Sequence, residues 1–218
     1  MIPKIRIVES VDWMTLILIL ALVLFTLGKY LFKSRFYNFI ALPFNDKYLT
    51  LYNKKGKLLN WFHILLTFFQ LLNLALFFYI SSRILVENST GSSTRVFWWV
   101  FGFLAVFESV KIILQLFKGY VFNTYNLVSE LVYAKLSYFN HASIFMFIAN
   151  VLLIYVFKDS KAVIYTSIFL FILINCIGLA GLLKTHQKLI INNGFYFILY
   201  LCALEIAPLV IIGGYLKG

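Results

Sequence analysis

Charge is what this chain has least of. Of its 218 residues only 12% are Asp, Glu, Lys or Arg, against ~25% in an average soluble domain. Too few ionised groups remain to clothe a water-facing surface, and 62% of the residues are hydrophobic, more than one soluble core of this size can hide. Cysteine occurs twice and proline three times, which excludes a disulfide-stapled secreted domain and a proline-rich disordered regulator. Cys176 and Cys202 both sit within apolar runs and read as small packing residues. No metalloprotease, phosphate-cradling or nucleophile-elbow pattern occurs, so a non-enzymatic protein is expected. No connection is long or polar enough for a soluble domain.

What the chain has instead is aromatic bulk and long apolar runs. Phenylalanine alone fills 24 positions. A helix needs about 20 mostly apolar residues to cross the hydrocarbon core of a bilayer. Six windows qualify, near 13–32, 60–82, 96–117, 139–157, 162–183 and 195–216. Trp13, Trp61, Trp98 and Trp99 stand near window ends, where indole prefers the headgroup level. The first window follows Lys4 and Arg6 but is too long for a signal peptide and lacks a small-residue cleavage site, so it reads as an uncleaved span. The runs are continuous rather than alternating, which argues against a β-barrel. The expected fold is all-α: a single polytopic transmembrane domain over 1–218, with six transmembrane helices and short interfacial segments.

The net charge of +11 would suggest nucleic acid in a soluble chain. Here the basic residues flank apolar spans, where anionic lipid and the positive-inside rule account for them, and no nucleic-acid partner is expected. Lys33, Arg35, Lys47, Lys54, Lys55 and Lys57 crowd the connection 33–58 and tip the balance between the two faces. The bias predicts loop 33–58 cytoplasmic and both termini periplasmic, in a bacterial inner membrane. Loop 33–58 mixes these bases with Phe36, Phe39, Ile40, Leu42 and Phe44, a composition suited to the headgroup region. In 118–138, Leu127, Leu131 and Ala134 recur at helical spacing, which predicts a short interfacial helix ahead of the fourth span.

Ionisable and amide side chains within a span are expensive, and mark functional sites or inter-helix ties. Glu108 and Lys111 lie on the third span, with Gln115 and Lys118 further along the same helical stripe. Glu205 lies on the sixth span, three residues before Pro208; proline donates no amide hydrogen, leaves a carbonyl one turn earlier free and kinks the helix. At 1.5 Å per residue, Glu108, Glu205, Gln70, Asn150 and Asn175 all fall roughly 15 Å from the face carrying loop 33–58, a polar layer near the midplane. Lys111 is the one base at that depth, and contact with Glu108 or Glu205 neutralises it most simply. The layer reads first as structural glue and second as a proton or ion path. His63 and His141 fall near the same face. Two histidines on facing helices at one leaflet can hold a b-type haem, and three, with His186, a metal, but no spacing motif supports either, and no cofactor is expected.

The run Tyr200-Leu201-Cys202-Ala203-Leu204-Glu205-Ile206-Ala207-Pro208, with Glu9-Ser10-Val11-Asp12-Trp13 and Lys29-Tyr30-Leu31-Phe32, resembles an uncharacterised multi-pass inner-membrane family of Bacteroidetes-type bacteria, catalogued as a domain of unknown function. The resemblance covers essentially the whole chain. It implies a stand-alone inner-membrane domain and supplies no activity or catalytic residue. The resulting expectation is a non-enzymatic subunit or accessory protein of a larger envelope assembly, in protein export or envelope biogenesis, with the lipid bilayer and other inner-membrane proteins as partners. Two alternatives stand beside it: a small proton- or ion-coupled carrier using the mid-membrane acids, and a haem- or metal-binding membrane protein.

Overall fold

The computed structural model describes residues 12–43, 60–85, 94–121 and 123–185. Among them are six α-helices and no strand: α1 (Asp12–Leu31), α2 (Lys33–Ile40), α3 (Trp61–Leu85), α4 (Thr94–Val121), α5 (Tyr125–Val151) and α6 (Lys161–Thr185). All but α2 are long and apolar enough to cross a membrane, as the backbone's need for internal hydrogen bonds in lipid requires. The chain is a membrane protein. The window 195–216, with Glu205 and Pro208, lies outside the described residues, as do 44–59. By packing the chain divides into Met1–Gly178 and Leu179–Gly218, and the helical bundle belongs to the first unit.

The observed helices track the apolar windows within a few residues, with one departure. The fourth span does not begin near 139. Helix α5 starts at Tyr125 and runs unbroken to Val151, then continues through a π-turn, Leu152–Val156. The expected separate interfacial helix is therefore the first part of the spanning helix itself. Hydropathy loses it because Ser129, Ser137, Asn140 and His141 interrupt the apolar run, yet all four are buried. Their polarity is turned inward, so the helix has no reason to stop.

Helix α3 is the hub, packing against α1, α4 and α5, while α4 and α5 also touch each other. Of α3's apolar window 72% is buried, against 6% for α4, so α3 forms the core and α4 lies at its edge. Aromatic rings join the helices at three levels. At one end Trp13 meets Tyr79 at 5.1 Å and Phe97 at 5.7 Å. Midway, Phe69 touches both Phe25 and Phe147. At the other end Phe39 of α2 meets Phe62 and His141. Helix α2 continues α1 after one break at Phe32, and buries Phe36 and Phe39 while Lys33 and Tyr37 stay exposed. It is an amphipathic helix folded onto the end of the bundle, as its mixture of bases and aromatics predicts.

The turn between α4 and α5 is a Schellman closure. Thr124 N–H donates to Gly119 O at 2.8 Å and Asn123 N–H to Tyr120 O at 3.2 Å, with Asn123 at φ 52°, a left-handed value that asparagine tolerates. The reversal presses Gly119 against α5: a Cβ there would stand 3.0 Å from Val128 Cβ and 3.2 Å from Tyr125 Cα. Gly119→Val should therefore destabilise the protein by about 1–3 kcal/mol through overpacking. Gly102, on the same helix, has nothing within 4 Å of such a Cβ, and Gly102→Ala should be neutral or stabilising by up to about 1 kcal/mol. Melting curves of the two purified variants in detergent check the contrast; equal losses would contradict this turn.

Candidate functional site

Two polar ties cross the interior of the helical bundle. On α3, Gln70 faces α4 and its Nε2 donates a hydrogen bond to Glu108 Oε1. Three residues further along, Asn73 faces α5: Asn150 Nδ2 donates to the Asn73 carbonyl at 2.9 Å and lies 3.5 Å from its Oδ1. Asn73 Nδ2 turns back to Phe69 O at 2.7 Å. Gln70, Asn73 and Asn150 are all buried. The hydrogen bonds show the division: Gln70 reaches α4, while Asn73, about 60° away around the helix, reaches α5. One hub helix thus holds α4 by a carboxyl–amide bond and α5 by a bond from the Asn150 side-chain amide to the Asn73 main-chain carbonyl.

Among the described residues these bonds fall into two separate ties rather than one connected layer. Gln70 joins Glu108, while Asn150 joins Asn73 rather than either of them. Asn175 Nδ2 bonds to Phe171 O one turn earlier on its own helix, at 2.8 Å, and its side chain ties no second helix through that bond. Lys111 stands one turn beyond Glu108 and acts electrostatically on its carboxyl. Glu205 and Pro208 lie outside the described residues.

The histidines have separate surroundings. His63 lies flat on the ring of Tyr133, with centroids 4.7 Å apart and planes at 12°. His141 Nε2 stands 3.3 Å from Ile40 O, and its ring meets Phe39 at 5.6 Å. Both rings thus have aromatic neighbours, Tyr133 for His63 and Phe39 and Phe145 for His141, and His141 meets a backbone carbonyl besides. His186 lies outside the described residues. No group of three or more His, Cys, Asp or Glu side chains converges among the described residues.

Residues that hydropathy and depth did not single out complete the site. Asn73 is the acceptor for Asn150. Gln115 and Asn140 are buried, and no partner meets Gln115 Nε2, either side-chain atom of Asn140, Gln70 Oε1, Glu108 Oε2 or either ring nitrogen of His63 among the described residues. A buried polar atom with no partner costs about 1–3 kcal/mol, so such a concentration at the contacts of α3, α4 and α5 requires an explanation. Helical phase is the signal: it puts Gln115 on the Glu108 stripe already in the sequence, and the same reasoning puts His63, Gln70 and Phe77 on one stripe of α3.

Over residues 14–216 the chain matches the model of a family described as a domain of unknown function (DUF4271). No curated protein and no solved structure matches it.

Proposed function

This chain belongs to the DUF4271 family, and from that premise, which carries no activity, we propose that it is a non-enzymatic subunit or accessory protein of a larger membrane assembly. The observation that carries the reading is the outer face of α4. Of 28 residues only Phe97, Gln115 and Gly119 are buried. Trp99, Phe103, Val106, Val110, Ile113, Phe117 and Tyr120 are exposed at alternating spacings of four and three. That is the spacing by which one helix seats against another, and aromatic side chains give such a seam much contact area at low entropic cost. In this reading the assembly sits in a bacterial inner membrane and its process is protein export or envelope biogenesis; the excess of Lys and Arg at the α4–α5 turn supports a cytoplasmic position for that end. Photo-crosslinking tests this reading. A photoreactive residue at Phe103 or Ile113 should give discrete protein adducts in native membranes, and one at Leu20 of α1 should give lipid adducts only. Lipid adducts alone at all three positions would contradict it.

A second reading, a small proton- or ion-coupled carrier, is favoured by the Gln70–Glu108 bond, because a carboxyl held at mid-span is the usual coupling group. It predicts ion-dependent uptake into proteoliposomes that Glu108→Gln or Glu205→Gln abolishes while the protein still folds. Unchanged uptake in both variants would remove that reading.

A further inference from the structure

The Gln70–Glu108 bond fixes the register of two antiparallel helices, and the register sorts their seam by polarity. Moving toward the α4–α5 turn lowers the residue number on α3 and raises it on α4 by equal steps. One turn from Gln70 and Glu108, three or four residues on, come Leu66 and Thr67 on α3 and Lys111 and Ile112 on α4. Two turns away, on nearly the same face, come His63 and Gln115. Moving the other way gives Asn73 and Leu74 with Ala105 and Leu104, then Phe77 with Phe101, then Ser81 with Phe97. The register is checked independently at the far end, where Trp13 touches both Tyr79 and Phe97, residues the same progression brings to about one level. Two turns from the bond the seam is thus polar on the inner side, at His63 and Gln115, and apolar on the outer side, at Phe77 and Phe101; the nearer Asn73 reaches α5, and Tyr79 and Ser81 bring buried polar atoms back toward the far end of α3.

The inner rungs also hold unpartnered atoms. His63, Gln70 and Gln115 are each at most 2% exposed, and His63 Nδ1 and Nε2, Gln70 Oε1, Glu108 Oε2 and Gln115 Nε2 have no hydrogen-bond partner among the described residues. At membrane depth such groups are tolerated where they line a hydrated passage, and water is held where two to four polar atoms converge. The Tyr133 ring stacked on His63 walls this half of the seam toward α5.

We propose that the inner half of the α3–α4 seam is a one-sided hydrophilic path by which water, and protons carried by water, reach Glu108 from the side of the membrane bearing the α4–α5 turn. The path ends at Glu108 because Leu74, Leu104, Phe77 and Phe101 close the other half. A dead-end path to a mid-membrane carboxyl lets that group exchange protons with one compartment only. The inference holds for a subunit and a carrier alike.

Cysteine accessibility tests it in a Cys176→Ser, Cys202→Ser background, in vesicles of both orientations, with a membrane-impermeant cationic methanethiosulfonate. Thr124→Cys, exposed in the turn, marks the side. Thr67→Cys and Gln115→Cys should react from that side and not from the other. Phe101→Cys and Leu104→Cys should react from neither. Silence of Thr67→Cys and Gln115→Cys from both sides, in vesicles where Thr124→Cys reacts, would overturn the path. Reaction of Leu104→Cys from the opposite side would overturn its one-sidedness. Radiolytic hydroxyl-radical footprinting repeats the test on the unaltered chain: His63 should be oxidised while Phe77 and Phe101 are spared, and the reverse pattern would overturn the proposal.

Discussion

Gly178→Leu should destabilise the protein by about 3 kcal/mol or more, at the upper end of what overpacking costs. A Cβ at this position on α6 would fall 2.3 Å from Tyr138 Cγ, with both Cδ atoms inside 3 Å. The atoms struck are the root of the ring, so no rotation about its own axis relieves the clash. Tyr138 is buried in a cluster with Phe36, Phe39, Phe62 and Ala142, so moving the ring displaces packed side chains. Adding Tyr138→Ala should recover much of the loss, since the new leucine then occupies the volume the ring leaves. Thermal melts of the single and double variants measure this coupling. A double variant no more stable than Gly178→Leu would contradict the packing of α6 on α5.

The second large effect concerns the tie between α3 and α4. Gln70→Leu deprives a Glu108 oxygen of its donor at mid-membrane, and should cost about 1–3 kcal/mol. Glu108→Leu alone likewise strands the Gln70 amide. The double variant Gln70→Leu/Glu108→Leu replaces both polar partners by apolar groups of similar reach, and should be more stable than the sum of the single losses predicts. Strict additivity in unfolding measurements would mean that the two side chains do not interact. Asn150→Leu supplies the comparison: it breaks the tie to α5 and leaves Gln70 untouched, so its cost should simply add to that of Glu108→Leu.

The spanning helices were legible because lipid imposes a length and a composition. The window 13–32 became Asp12–Leu31, and 162–183 became Lys161–Thr185. The beginning of α5 was not legible by the same test. Hydropathy reads each side chain as though it faced lipid, whereas Ser129, Ser137, Asn140 and His141 face protein. The candidate site was legible in part. Depth brought Gln70 and Glu108 to one level, and the structure joins them. Depth alone could not say which face each residue occupies, so it grouped Asn150 with them although Asn150 pairs with Asn73. It also passed over Gln115 and Asn140, whose interest lies in being buried without partners. Helical phase, rather than depth, separates the seam toward α4 from the seam toward α5.

The measurement that bears most directly on the proposed role is native mass spectrometry of the protein released from its own membrane in mild detergent. The account predicts a stoichiometric complex with other membrane proteins, and the loss of those partners in a Phe103→Ala/Phe117→Ala variant whose melting temperature is unchanged. A lone, homogeneous chain, or a complex indifferent to those two substitutions, would contradict the assignment of the α4 face as its docking surface.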